Sequence, residues 1–302
     1  VYKTGKPLRG ENYTADLGRW ITYQFSRLGG PGSKLISVVF NDITESKQQE
    51  QQQAFLLKLS DTLRTESNSD IIANHAIRLL YEHLNLDRCY IGVYRLSDDR
   101  AAFTHQVGNN RVPPLPASIS LSDFPNALKI ALRETLVIED VLNTEGLSET
   151  DKQSMAALGM HAIVAASLRE GDNNPVWSIV AVSASPRRWT LAEIQLIEYV
   201  TERTWAAIER AKSEEALQIS EEQFRRAIEE APIPIIMHAE DGRVLQISRT
   251  WTELTGYAPE DIPTFDAWLN KAYGEGADDI RNHMHHLFKG DRKSLNIDFP
   301  IT

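Results

Sequence analysis

The stretch from Thr190 to about Glu230 constrains this chain more than any other, because its apolar spacing fits one long helix. Thr190 with Glu193 three residues on is a reciprocal capping box, which satisfies two orphan amide donors where a helix begins. Beyond it, Ile194, Ile197, Trp205, Ile208, Ala216 and Ile219 recur close to every 3.6 residues, so an apolar stripe must find cover. Glu221 with Arg225, and Glu222 with Arg226, add i,i+4 support on the exposed side. A helix of about 40 residues is about 60 Å long, well beyond the few turns usual in a compact domain. It is expected to leave its own domain and pair with a second copy. The alternative is a break near Lys212 and a new helix capped by Ser220 and Gln223; the continuous form is preferred.

With 302 residues there is room for two or more units, each with its own core. A net charge of −10 without a cluster of Lys and Arg argues against a nucleic-acid partner. The single cysteine, Cys89, rules out an intramolecular disulfide and disfavours a thiolate metal site, which fits a reducing, cytoplasmic location. No run of 18 apolar residues and no basic segment leading into an apolar one is present, so neither direct membrane contact nor secretion is expected.

Residues 20–25 and 35–40 alternate as two strands around Gly29-Gly30-Pro31-Gly32, a hairpin whose aromatic face needs a partner. Asp42-Ile43-Thr44-Glu45 then switches the period to 3.6, with Asp42 or Thr44 able to cap, and Leu56, Leu59 and Leu63 give a second seam at heptad spacing. From Ser69 a self-contained unit begins. Ile72, Ala76, Leu80 and Leu84 stripe a helix, and strands are expected at 89–94, 102–107, 136–138, 162–168 and 176–183. Short helices are expected at 126–133 and after Ser148, with a proline loop at 112–116. After Ala231-Pro232-Ile233-Pro234 come strands at 235–237 and 244–247 around Asp241-Gly242, a helix carrying Trp251 and Leu254, a helix at 278–287 and a last strand at 295–299.

Residues 69–212 resemble a GAF domain, most specifically in Pro186-Arg187-Arg188-Trp189-Thr190, Glu193 and the run Glu202 to Ala211. Residues 231–302 resemble the first part of a PAS domain, through Asp241-Gly242 and Leu254-Thr255-Gly256-Tyr257, with Ser248 where that family usually has asparagine. Residues 1–43 look like the last strands of another PAS domain, ending in the Asp42-Ile43-Thr44-Glu45 signature. The resemblance implies an α+β array. A GAF domain with a central antiparallel sheet flanked by helices stands between two partial PAS domains, joined by signalling helices at 44–68 and 213–230. Such arrays form the sensory region of bacterial two-component histidine kinases.

No phosphate loop, no dinucleotide fingerprint and no histidine followed by an acidic residue is present, so no catalytic residue is assigned. His283 and His286 share a helix face but lack a third ligand and read as a solvated face, not a metal site. Cys89 lies in an early apolar strand, followed by Tyr90, and reads as a core residue, so no covalent bilin is expected and the cofactor is left unassigned. The ligand pocket is expected between the sheet and the loops of residues 109–140, with Tyr94, His105, Phe124 and Asp140 as its walls. Asp42, Thr44, Glu45, Trp205 and Ile208 are expected to relay the signal. The expected role is sensory input and transmission: a homodimer through the connector helices, a small-molecule signal, and a response regulator reached through a kinase domain outside this chain. The alternatives are the same array driving a diguanylate cyclase or another output, and a dimerisation spacer that senses nothing.

Overall fold

The computed structural model describes residues 6–30, 32–170, 174–274, 277, 278 and 281. The chain divides into two compact units, Val1–Lys212 and Ser213–Thr302.

The first unit opens with three antiparallel strands in the order β1(Leu8–Thr14), β2(Arg19–Leu28) and β3(Leu35–Asp42). β1 precedes the two strands expected from the sequence; its alternation is hidden because Arg9, Glu11 and Asn12 take solvent positions. Tyr23 lies across Gly10, so a glycine that would weaken the strand is covered by an aromatic ring. Leu35, Val39 and Phe40 remain exposed on β3.

Helix α1(Thr44–Thr65) follows directly. Asp42 supplies its cap from one residue before Ile43, accepting from the Thr44 amide at 3.0 Å and the Thr44 hydroxyl at 2.6 Å. Thr44 in turn accepts from the Trp20 amide at 2.9 Å, which ties the helix start to β2. The far half of α1 does not wait for a partner molecule: Phe55, Leu59 and Leu63 are buried in the main core of the same unit, and Arg210 donates to the Leu63 carbonyl at 2.7 Å.

The central sheet has six antiparallel strands in the order β6-β5-β4-β9-β8-β7. In chain order the elements are α2(Ser69–His83), β4(Arg88–Arg95), β5(Arg100–Gly108), β6(Ser118–Ser120), α3(Pro125–Ala131), β7(Leu136–Ile138), α4(Glu149–Ala157), β8(Ala162–Glu170), β9(Asn174–Ser183) and α5(Leu191–Glu229). β6 is too short for its period to be read in the sequence. The two faces of the sheet separate by strand alternation. Cys89 and Ile91 of β4, Ile179 and Ala181 of β9, and Val164 and Ala166 of β8 face α1, α2 and α5 in one core. Tyr90, Val180, Val182, Ile163 and Ala165 face the other way, into a second core closed by α3, α4 and the loop at 112–115.

α5 is one helix of 39 residues, begun by the Thr190–Glu193 capping box: the Glu193 amide donates to Thr190 Oγ1 at 3.2 Å and the Thr190 amide to Glu193 Oε2 at 2.8 Å. Its buried stripe runs through Leu196, Ile197, Val200, Thr204, Ala207, Ile208 and Ala211 and stops there; Leu217, Ile219 and Phe224 are exposed. The expected Glu221–Arg225 pairing is replaced, since Arg225 lies between Glu222 and Glu229 and Arg226 bonds Glu222 at 2.7 Å.

In the second unit, β10(Ile236–His238) pairs antiparallel with β11(Val244–Ile247), followed by α6(Arg249–Thr255) and α7(Phe265–Tyr273). α7 lies where no helix was expected; Thr264 caps it and Trp268, Leu269 and Ala272 make its buried face. Ser248 uses its small hydroxyl fully: it accepts from the Ile235 and Trp251 amides and donates to the Ile233 carbonyl. The expected helix at 278–287, the strand at 295–299 and His283, His285 and His286 fall largely or wholly outside the described residues. Among the described residues no helix is long and apolar enough to cross a membrane, and no group of three or more His, Cys, Asp and Glu side chains is placed to hold a metal ion.

Candidate functional site

The second core is not filled. Between the sheet and the pair α3/α4 lies a cavity of about 80 Å³. Tyr90, Tyr94, Phe103, Ile163, Ala165 and Val180 rise from the sheet to form its floor. Phe124, Ala127, Leu128 and Ala131 come from α3 and its approach, Met155, Leu158 and Met160 from α4 and the turn after it, and Ile119 and Leu121 close the side. No charged side chain is among the lining residues.

Polar anchors build this cover. Asp151, fully buried at the start of α4, completes the capping box with Ser148 and reaches across to α3, accepting from the Asn126 amide at 3.2 Å and the Ala127 amide at 3.1 Å. One carboxylate thus fixes the first turns of both cover helices. At the other end, Arg169 donates to the Ala131 carbonyl at 2.9 Å, a cation at the C-terminus of α3. The loop over the core is held by Arg88, whose guanidinium donates to the Val112 carbonyl at 2.7 Å and to Gln106 Oε1 at 2.9 Å. Beside it, Asp87 accepts from the Ala184 amide and the Asn109 side chain and pairs with Arg111 at 3.3 Å. Burial alone would push the Asp87 carboxyl up, but these donors and the Arg111 charge outweigh it and hold the group below the usual carboxylate range. Asp99, in a left-handed turn, fastens the side wall by accepting from the Ser122 amide and from the Ser120 and Ser122 hydroxyls.

Of the four expected wall residues, Tyr94 and Phe124 line the cavity. His105 does not. Simple alternation from Phe103 would put it on the same face, but β5 carries one extra residue at Thr104, where pairing steps from Ile91↔His105 to Gly92↔Phe103. The bulge turns His105 to the helix side, with its Nε2 3.3 Å from Asp70 of α2. Asp140 is also elsewhere: it closes its own turn after β7, accepting from the Leu142 amide at 3.0 Å and the Asn143 side chain at 2.7 Å. The Asn143 side chain first, then the Leu142 and Asn143 amides, outweigh burial and hold its carboxyl below the usual range. Cys89 is on the helix side of β4, away from the cavity, and burial pushes its thiol up. Tyr90, Phe103, Met155 and Met160 were not singled out in the sequence. The period of two along β4, which sets Tyr90 beside Tyr94, is the signal that finds the first of them.

The residues expected to relay a signal are set differently. Asp42 and Thr44 form the joint between β2, β3 and α1, with Arg19 2.9 Å from Asp42, while Glu45 is exposed in the first turn of α1. Trp205 packs on Trp177 of β9 with ring centroids 5.5 Å apart, and Ile208 is buried in the main core. The start of α5 is bolted to the sheet edge: the Trp189 indole donates to the Ile138 carbonyl at 3.1 Å, and the Arg187 guanidinium lies 4.4 Å from the Trp189 ring and donates to the Leu84 carbonyl.

The fold is thus a six-stranded antiparallel sheet with helices on one face and a cavity on the other, closed by α5, which starts directly after Arg187-Arg188-Trp189-Thr190. Residues 69–208 match the GAF domain model. Residues 222–264 match the PAS fold. No curated protein matches the chain. Among solved structures, the chain is similar to the chromophore-binding domain of an unusual bacteriophytochrome from R. palustris, at 17% identity over 68% of this chain and 75% of that one, with a TM-score of 0.47. It is similar also to the phycoerythrobilin-bound GAF domain of a cyanobacterial phytochrome, at 17% identity over 54% and 97%, with a TM-score of 0.46. A third similar structure is the free methionine-R-sulfoxide reductase of Neisseria meningitidis in complex with its substrate, at 12% identity over 52% and 88%, with a TM-score of 0.42. The cavity described above is therefore a cavity of the GAF domain, between its sheet and its two short helices.

Proposed function

We propose that this chain is the sensory input and transmission part of a cytoplasmic signal-transduction protein, a two-component sensor histidine kinase. In this reading a small molecule enters the GAF cavity, and the altered packing is passed along helices paired in a homodimer to a kinase domain outside this chain and from there to a response regulator. The observation that carries the reading is the division of α5. Its first turns are built into the GAF core, and beyond Ser213 Leu217, Ile219 and Phe224, the first and last one heptad apart, are exposed and offer a seam to a second copy. A coupling of about 1 to 3 kcal/mol between cavity occupancy and helix pairing is enough for such a switch.

Two measurements test it. A metabolite library screened by thermal shift should contain compounds that stabilise the protein, by about 2.7 kcal/mol at a hundredfold excess over Kd, and that fail to stabilise Ala165→Leu, which fills the cavity from β8. Spin labels at Leu217→Cys, the only accessible thiol since Cys89 is buried, should report a distance between two copies that changes with the same compounds. A protein monomeric at every usable concentration would defeat the dimeric part, and a library without a single cavity-dependent compound would leave the chain as a spacer.

A further inference from the structure

Of the two tyrosines among the described residues that line the cavity, Tyr90 is the one whose hydroxyl has no hydrogen-bond partner. It is 6% exposed, its ring packs edge-on against Phe103 at 4.8 Å, and no described residue gives its hydroxyl a hydrogen bond. Tyr94, four residues on along the same face, is already engaged with Ser178 at 2.9 Å. The Tyr90 hydroxyl lines the cavity and is free to donate to an acceptor that enters it. Around it the lining is apolar and carries no charge, so an ionised ligand would lose its hydration with no counter-charge to meet. The Arg169 guanidinium, near the far end of α3, is taken up by the Ala131 and Ser167 carbonyls. Size adds a third restriction. A cavity of about 80 Å³ is smaller than the roughly 150 Å³ that holds benzene, and Met155 and Met160, unbranched and adaptable, are the walls able to yield that difference.

We propose that the GAF cavity takes a small, neutral, mainly apolar molecule of about one ring, bearing one hydrogen-bond acceptor that receives the Tyr90 hydroxyl. This rests on the sensing role given to the cavity above and names the chemistry it selects. Multi-ring tetrapyrroles, nucleotides and free carboxylates fall outside the class.

The test uses the full chain, titrated at pH 8 with benzene, pyridine and benzoate and followed by ligand-observed NMR. Benzene and pyridine match in shape and differ in one acceptor; benzoate adds a charge. Pyridine and benzene are expected to bind, and benzoate to bind at least a hundredfold more weakly than pyridine. In Tyr90→Phe, pyridine affinity should fall about tenfold, equivalent to about 1.4 kcal/mol, while benzene affinity is kept. Because the deleted hydroxyl has no partner in the protein, the variant should be at least as stable as the parent, so loss of fold does not confuse the result. Equal pyridine binding by parent and variant, benzoate binding as tight as pyridine, or no binding by either neutral probe would each overturn the inference. The metabolite screen judges sensing separately: charged compounds that stabilise the parent but not Ala165→Leu would preserve the sensor and remove this ligand class.

Discussion

Asp151 has no solvent to fall back on, and every bond it accepts comes from a backbone or hydroxyl donor at the head of α3 or α4. Asp151→Asn keeps the volume but turns an amide NH2 toward some of those donors. A loss of about 3 kcal/mol is expected, against about 1 kcal/mol for Ser148→Ala, which removes a single cap. Urea midpoints at constant m-value would measure both, and hydrogen exchange should show the amides of 125–131 losing protection before those of α5. Asp87 makes a different prediction because its carboxyl is held low. A lowered folded pKa stabilises above the unfolded value, near 3.8 for this group, and that contribution is lost as pH falls through the folded value. Glu193 acts in the same direction: burial opposes ionisation, but the Thr190 amide and Arg187 outweigh it. The melting temperature should therefore hold above about pH 5 and drop as pH falls below about 4. Asp87→Asn should be less stable at neutral pH and show a shallower drop, and an unchanged slope would rule out this carboxylate as a source of the acid sensitivity.

At the scale of elements, α5 carries two environments on one helix. Ile208→Ala removes a residue from the filled core and should cost about 2 to 4 kcal/mol. Phe224→Ala, at an exposed position, should stay within about 0.5 kcal/mol in a monomer. A concentration-dependent cost at Phe224 in denaturation experiments would mark it as an interface residue. The elements also show why parts of the fold were legible in advance and others were not. Long periodic segments such as α2 and α5, and capped ones such as α4, announce themselves through spacing and through Ser148, Thr190 and Glu193. β1 and β6 do not, since one hides behind charged solvent-facing residues and the other is three residues long. The site was half legible for a similar reason. Tyr94 and Phe124 follow from strand and loop placement, whereas the bulge at Thr104 is a tertiary event that no local period encodes, and it carried His105 to the opposite face. Asp151 reads locally as a third-position cap, and its reach to α3 depends on a contact 24 and 25 residues back along the chain.

For the whole molecule, the relevant fact is that the two units have separate cores of unequal size. The GAF-containing unit buries apolar side chains on both sides of a six-stranded sheet. The described core of the second unit is small, centred on Ile262, Trp268 and Leu269. The indole nitrogens of Trp251 and Trp268 are buried there without acceptors among the described residues, a further cost. Calorimetry should therefore resolve two transitions, the lower belonging to the second unit. A benzene- or pyridine-type ligand should raise only the upper one. A single transition shifted as a whole would contradict this independence.

β4 serves two masters by parity. Its odd positions, Cys89 and Ile91, are owed to the helices beneath, while its even positions, Tyr90 and Tyr94, belong to the chamber above. Heritable change can therefore alter the cavity lining at 90 and 94 without rewriting the mechanical footing at 89 and 91. A strand built this way lets the chamber diversify its chemistry one alternate residue at a time while the packing underneath stays the same.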